Sequence, residues 1–61
     1  MDGLDRKILQ ALQADGRRKN ADLARELGVA ASTVLERVRR LEERGLIRGF
    51  RAIVDPRSLG L

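Results

Sequence analysis

The sequence LARELGV occupies residues 23–29 and is followed by an apolar Val34. Two helices that cross closely need a small residue at their contact and a glycine at the turn between them. Ala24 and Gly28 meet these two needs. The spacing predicts a helix-turn-helix whose second helix would lie in the major groove of duplex DNA. A generic helical hairpin within a three-helix bundle is the alternative on this stretch alone.

A first helix is predicted before this motif. Apolar residues recur there at helical spacing, and they are Leu4, Ile8, Ala11 and Leu12. Asp2 is placed to cap this helix, and Asp5 lies in its first turn, where a carboxylate favours the helix dipole. We expect Gly16 to end it.

A third helix is predicted from about Ala31 to Arg44, followed by Gly45 as its stop signal. At about 100° per residue, one narrow sector of this helix is apolar and should face the core. That sector contains Val34, Val38 and Leu41. The opposite face contains Ser32, Glu36, Arg39 and Glu43, and one flank contains Thr33, Arg37, Arg40 and Arg44.

The chain after Gly45 should fold back onto the core through Leu46 and Ile47. One half-buried strand is then predicted to begin at Arg48 and to end at Asp55, because apolar and polar residues alternate there. The expected fold is all-α: a three-helix, winged-helix-like helix-turn-helix domain with one C-terminal strand. The domain should span residues 1–47, and a linking strand and tail should span residues 48–61.

Composition limits the classes of function. The chain has thirteen Lys and Arg residues, most of them Arg, and nine Asp and Glu residues. The resulting net charge of +4 suits a polyanionic partner. Cysteine and histidine are absent, so we expect no disulfide, no metal site and no cofactor. No apolar run approaches the roughly 18 residues of a membrane span, and the N-terminus lacks secretory features. A cytoplasmic location is therefore expected, with no membrane partner.

Five segments resemble the N-terminal domain of the Lrp/AsnC (leucine-responsive, feast/famine) transcription regulators. They are LDRKIL at 4–9, DGR at 15–17, DLA at 22–24, RVRRLE at 37–42 and GLIRGF at 45–50. The resemblance runs without gaps from Leu4 to about Leu59. It implies a bacterial or archaeal regulator that binds double-stranded DNA as a homodimer or higher oligomer, with the strand from Arg48 to Asp55 pairing with a partner subunit.

The chain departs from the family pattern at three places. Arg18 and Lys19 stand where the family usually has an apolar residue and then Ser or Thr, so we expect Asn20 to take over as helix cap. Ala30 stands where the family favours Ser, and a missing capping oxygen typically costs about 1 kcal/mol. The family's C-terminal ligand-binding domain lies outside these 61 residues, so no response to a small-molecule effector is expected from them.

The candidate DNA-binding residues lie in the loop before the second helix and along the third helix. They are Arg17, Arg18, Lys19, Ala31, Ser32, Thr33, Leu35, Glu36, Arg39 and Arg40. Arg39 points away from the core and is expected to contact a base or a phosphate, since Arg to guanine is the commonest specific contact. Thr33 and Arg40 are expected to bind phosphates.

Several of these positions have two interpretations. Glu36 either contacts a base or pairs with Arg40 four residues later. Arg37 and Arg44 lie nearer the core sector and either bind DNA or serve the fold. The basic loop of residues 17–19 either binds a phosphate or is simply solvated. Leu35 could contact a thymine methyl or a partner subunit, or have no special role.

Two other classes of function compete with DNA binding. The same small fold could act as a protein interaction module through its third helix or terminal strand. It could also be the auxiliary domain of an enzyme, because some tetrapyrrole decarboxylases resemble these regulators. These residues offer no plausible catalytic equipment, so we expect that the chain is not an enzyme by itself.

Overall fold

The computed structural model describes residues 1–52 and 54–57. Three helices follow one another along the chain: α1 (Gly3–Ala14), α2 (Asn20–Leu27) and α3 (Ala31–Glu43). They confirm the three predicted helices and their order. α2 and α3 form the helix-turn-helix, and α1 packs against both.

The core is aliphatic and draws on all three helices. α1 contributes Ile8, α2 contributes Leu23 and Ala24, and α3 contributes the sector of Val34, Val38 and Leu41. Ile8, Leu23 and Val34 have no exposed surface, and Leu41 is almost as buried. Burying one such side chain stabilises a fold by roughly 1.5–3 kcal/mol. The predicted core sector of α3 is confirmed, and the opposite face of that helix is left for solvent.

The turn between α2 and α3 is built around Gly28, which has a φ of 71°. The N–H of Gly28 donates to the carbonyl of Arg25 at 3.3 Å, and the N–H of Val29 donates to the carbonyl of Ala24 at 3.0 Å. This pair of bonds is the Schellman motif, which satisfies the last carbonyls of a helix. Val29 then packs against the core and fixes the direction in which α3 leaves the turn.

The end of α3 repeats this motif at Gly45, whose φ is 77°. The helix ends at Glu43, one residue earlier than predicted, and Arg44 is its capping residue. The N–H groups of Leu46 and Ile47 both donate to the carbonyl of Leu41, at 2.9 and 3.1 Å. The chain folds back as expected for Ile47, which packs on the core, whereas Leu46 remains about half exposed.

The start of α1 follows the prediction, and its end does not. Asp2 caps the helix, because its Oδ1 accepts a hydrogen bond from the N–H of Asp5 at 3.0 Å. The prediction that Gly16 ends the helix is wrong. α1 ends at Ala14, and Gly16 lacks a positive φ. Asp15 makes the turn instead, since its Oδ1 accepts from the N–H of Arg17 at 3.0 Å.

The predicted cap at Asn20 is also wrong. Asn20 is already the first residue of α2, and Lys19 is the capping residue, with no hydrogen bond from its side chain. α3 begins in the same way at Ala30, as its missing hydroxyl led us to expect. Both helices of the helix-turn-helix therefore begin without a side-chain cap.

The segment after Ile47 is in neither helix nor strand at residues 48–52 and 54–55. Residue 53, in the middle of the predicted strand, lies outside the described residues, so the strand stays a prediction. Phe50 lies over Gly16, and a Cβ atom placed on Gly16 would be 3.4 Å from the Cδ2 of the Phe50 ring. Across the described ranges, no helix has both the length and the apolar character needed to cross a membrane.

Gly28 should resist substitution for reasons of backbone conformation alone. A Cβ atom at Gly28 would meet nothing within 4 Å, so Gly28→Ala adds only the cost of a positive φ. We expect a loss of about 1–2 kcal/mol in the free energy of unfolding, measured by urea titration. Gly3→Ala is the matched control, because Gly3 has equal space and no positive φ. Equal stabilities of the two variants would contradict the role given to Gly28.

Candidate nucleic-acid interface

The outward face of α3 and the flank beside it form a candidate surface for a polyanion. Arg39 lies on the outward face and Arg40 on the flank, with side chains 62% and 63% exposed. Leu35 is exposed beside them, and the first turn of the helix presents Ala31 and Ser32 to solvent. Burial of Val34, Val38 and Leu41 sets which side of the helix faces solvent.

Ion pairs link the charged residues of this face. Glu36 accepts from the Nη2 of Arg39, 3.0 Å from its Oε2, and from the Nε of Arg40, 3.2 Å from its Oε1. Arg39 also donates to Glu43 at 3.3 Å. The proposed pairing of Glu36 with Arg40 is confirmed, and Arg39 shares the same carboxylate.

The pair of Glu36 and Arg39 favours the charged form of both side chains. The hydrogen bond from Arg39 lowers the pKa of Glu36, and the same bond raises the pKa of Arg39. Exposed pairs of this kind stabilise a protein by at most about 1 kcal/mol. A phosphate or a base edge could therefore replace Glu36 as the partner of either arginine at small cost.

The spacing of residues left the roles of Arg37 and Arg44 open, and the structure gives them different surroundings. The Nη1 of Arg37 lies 2.7 Å from the Oδ2 of Asp2 and 3.2 Å from the Oδ1 of Asp5. Arg37 thus ties the middle of α3 to the start of α1, which is a role in the fold. Arg44 is exposed and has no ion pair within residues 1–52 and 54–57.

Asp5 is a residue whose importance sequence analysis missed. The sequence predicted its favourable place in the first turn of α1. The structure shows that Asp5 is also only 7% exposed. Burial of a carboxylate is costly without a charged partner, and Arg37 is that partner. The spacing of Asp2 and Asp5 on one side of α1 was the available signal. It does not tell which of the many arginines they meet.

The loop before α2 brings charges of both signs together. Arg18 pairs with Glu26 of α2, and its side chain is only 30% exposed. Its Nε is buried without a hydrogen-bond partner. Arg17 and Lys19 are exposed and, in the part of the chain that the structure describes, have no ion pair. The loop lines a concavity of about 430 Å³ shared with Asp15, Asp22, Arg25 and Glu26.

The free cations of this loop lie next to the uncapped start of α2, while α3 presents its own uncapped first turn. Thr33 is half-buried at that turn. Helix N-termini attract anions through their free N–H groups and the helix dipole. The loop and the outward face of α3 thus combine two features that suit a phosphate backbone.

Residues 1–42 match the AsnC-type helix-turn-helix domain. The chain belongs to the Lrp/AsnC family. This Lrp/AsnC domain is 50% identical over 60 residues to the leucine-responsive regulatory protein of Rhizobium meliloti, covering 98% of the chain and 38% of that protein. It is 51% identical over 61 residues to the HTH-type transcriptional regulator AldR of Mycolicibacterium smegmatis, covering 100% of the chain and 36% of that protein.

Solved structures agree with this assignment. The Lrp/AsnC domain superposes on Escherichia coli AsnC with a TM-score of 0.85 at 42% identity, covering 98% of the chain and 40% of AsnC. The chain spans little more than a third of the length of each of the two regulators from Rhizobium meliloti and Mycolicibacterium smegmatis. The family resemblance expected from the five segments is confirmed.

The link between α1 and α3 in this Lrp/AsnC domain should depend on pH. Hydrogen bonds from Arg37 and from the N–H of Asp5 lower the pKa of Asp2 from 3.8 to about 2. A carboxyl group with a lowered pKa stabilises the fold above its unfolded pKa and loses that contribution as the pH falls through its folded pKa. We expect Asp2→Asn, which keeps a capping oxygen but loses the charge, to be less stable than wild type at neutral pH. The difference should shrink between pH 3.8 and about 2.

Urea unfolding at a series of pH values measures this difference. Arg37→Gln serves as the matched change on the other side of the ion pair, and Asp2→Asn made in that background should have a much smaller effect. A stability difference between wild type and Asp2→Asn that stays constant from neutral pH to pH 2 would contradict the assigned ion pair.

Proposed function

We propose that this chain binds duplex DNA as the sequence-reading domain of a transcription regulator, with α3 in the major groove. The observation that carries the proposal is the solvent side of α3, where Arg39 on the outward face and Arg40 on the flank lie exposed while the opposite sector of the helix is buried. The major groove of B-DNA is about 12 Å wide and accepts one α-helix, which contacts base edges with its outward side chains. Membership of the Lrp/AsnC family supports the same function.

Within this proposal the residues of α3 divide into two groups. Ala31 and Ser32, in the exposed first turn, and Arg39 on the outward face approach the base edges. Thr33 and Arg40 lie on the flank of the helix and bind phosphates at the wall of the groove. Leu35 is exposed on the other flank of the helix and fits the methyl group of a thymine.

The loop before α2 supplies a second set of phosphate contacts. Arg17 and Lys19 are the members of the basic loop whose charges are not already paired with described carboxylates, so they act as the phosphate ligands. Arg18 has a different role, because its pairing with Glu26 holds the loop against α2. The free N–H groups at the start of α2 add to the attraction for a phosphate.

We also propose that residues 48–55 form a linking strand beyond the DNA-binding unit of residues 1–47 and pair with a second copy of the chain. Phe50 and Val54 in this segment, and Leu46 just before it, are each about half exposed, which leaves apolar surface here. Strand edges with apolar side chains favour association with another chain. A two-fold dimer would place two copies of α3 on successive major grooves of one face of the duplex.

Sedimentation equilibrium tests the dimer. We expect association of the wild-type chain at high concentration and weaker association of Phe50→Ala, which removes apolar surface. Arg51→Ala is the neighbouring control and should associate like wild type or more strongly, since it removes a repelling charge. A wild-type chain that stays monomeric into the millimolar range would contradict the proposed pairing.

Salt dependence tests the DNA binding. Each phosphate contact releases condensed counterions, so the affinity should fall steeply with salt, with a slope of about −0.9 per phosphate contacted. The measurement is a fluorescence titration of labelled duplexes at several salt concentrations, on a site selected from random sequences and on a scrambled copy. Weak binding without salt dependence would favour a protein interaction module instead.

Two neighbouring arginines provide the internal comparison for this titration. Arg39→Ala should cost roughly 1–3 kcal/mol on the selected site and less on the scrambled one, because a base contact is lost. Arg40→Ala should weaken both duplexes about equally and reduce the salt slope by about one. Equal losses on both duplexes for Arg39→Ala would remove its assigned role.

A further inference from the structure

The geometry points to Glu36 as a residue that determines sequence specificity by restraining Arg39 beside it. We infer that its carboxylate withholds the Nη2 of Arg39 from DNA and releases it when the duplex offers the N4 amino group of a cytosine in the major groove. The inference rests on the proposed binding of duplex DNA through α3. It assigns Glu36 a role distinct from that of an ordinary surface pair.

Glu36 lies at the centre of the charged face. Its Oε1 accepts from the Nη2 of Arg39 and from the Nε of Arg40, both at 3.2 Å, and its Oε2 accepts from Arg39 at 3.0 Å. Among residues 1–52 and 54–57, Glu36 is the carboxylate that pairs with both of these arginines. The arrangement places one negative charge in contact with both cations, and Arg39 is the one that gives it two hydrogen bonds.

This negative charge makes binding conditional on sequence. When α3 enters the groove, water leaves the carboxylate, and an ionised group without hydrogen-bond donors is costly to bury. Guanine presents only acceptors on its major-groove edge, whereas cytosine presents the N4 amino group, which a glutamate accepts. On a duplex that lacks this donor at the right position, the desolvated carboxylate of Glu36 keeps Arg39 as its partner, and the base contact of Arg39 is lost. Arg40 donates to Glu36 through its Nε alone, so its other N–H groups still bind a phosphate.

The exchange is feasible because the existing pairs are exposed and weak. The hydrogen bond from Arg39 lowers the pKa of Glu36, so the carboxylate remains ionised under the neutral conditions of binding. Once cytosine N4 donates to Glu36, the Nη2 of Arg39 is free for a neighbouring guanine. The contacts to cytosine and to guanine therefore form together.

Glu43 provides a control within the same helix. It also pairs with Arg39, at 3.3 Å, and its side chain is exposed, but no contact with Arg40 is present in the described part of the chain. Glu43 lies near the C-terminal end of α3, whereas the residues that reach base edges lie toward the N-terminal end of a recognition helix. Glu36→Gln and Glu43→Gln remove the same charge, so their difference isolates position from charge.

The test compares wild type, Glu36→Gln and Glu43→Gln on the selected and scrambled duplexes, with circular dichroism confirming equal helix content. We expect Glu36→Gln to bind the scrambled duplex about 3- to 10-fold more tightly than wild type does. The ratio of its affinities for the selected and scrambled duplexes should fall by about 10-fold. Glu43→Gln should bind both duplexes more tightly by a similar factor, so its affinity ratio should equal that of wild type.

Substitution of each cytosine in the selected site locates the contact. Replacing one particular cytosine should lower the DNA-binding affinity of wild type and of Glu43→Gln by about 5- to 150-fold. The same replacement should lower the affinity of Glu36→Gln much less. Salt-dependent binding by wild type together with identical behaviour of the two variants would overturn the role of Glu36 alone. Absence of salt-dependent binding by wild type would overturn the proposed function, and the role of Glu36 with it.

Discussion

The structure depends on the close crossing of α2 and α3, which puts Leu23 against the apolar sector of α3. Ala24 makes the crossing possible because its side chain is small, and Gly28 makes the sharp turn possible because it adopts a positive φ. A domain of this size buries only roughly 60% of the surface that its unfolded chain exposes, so little apolar surface can be spared. The side of α3 that faces solvent follows from this contact.

Sequence periodicity was sufficient to predict what burial decides. The three helices, their order and the sector of Val34, Val38 and Leu41 follow from the spacing of apolar residues, since a misplaced apolar face would cost several kcal/mol. Local hydrogen bonding was less predictable. Gly16 and Asn20 were assigned to a helix end and a helix start, but neighbouring side chains and backbone groups compete for these roles at energies near 1 kcal/mol.

The candidate site was predictable in outline and not in detail. A helical wheel places Arg37 and Arg44 on the same flank, so it cannot tell that Arg37 meets Asp2 and Asp5, more than thirty residues earlier in the chain. That contact depends on how α1 packs across α3, which is a tertiary feature. The difference between Arg18, which is paired, and its two neighbours in the basic loop is also a tertiary feature. Glu26 is eight residues beyond Arg18 and reaches it only because α2 folds back beside the loop.

The placement of Arg37 also affects how such a domain can evolve. Residues on α3 that face the core and residues that face outward are separate sets, so under the proposed function the outward set can change base preference while stability stays nearly constant. Arg37 lies at the boundary, bonded to α1 yet next to Glu36 in the chain. Variation at this position would alter stability and the orientation of the recognition surface together. We therefore expect lineages that acquire new operators to diverge at outward positions such as 32, 36 and 39 while retaining a cation at 37.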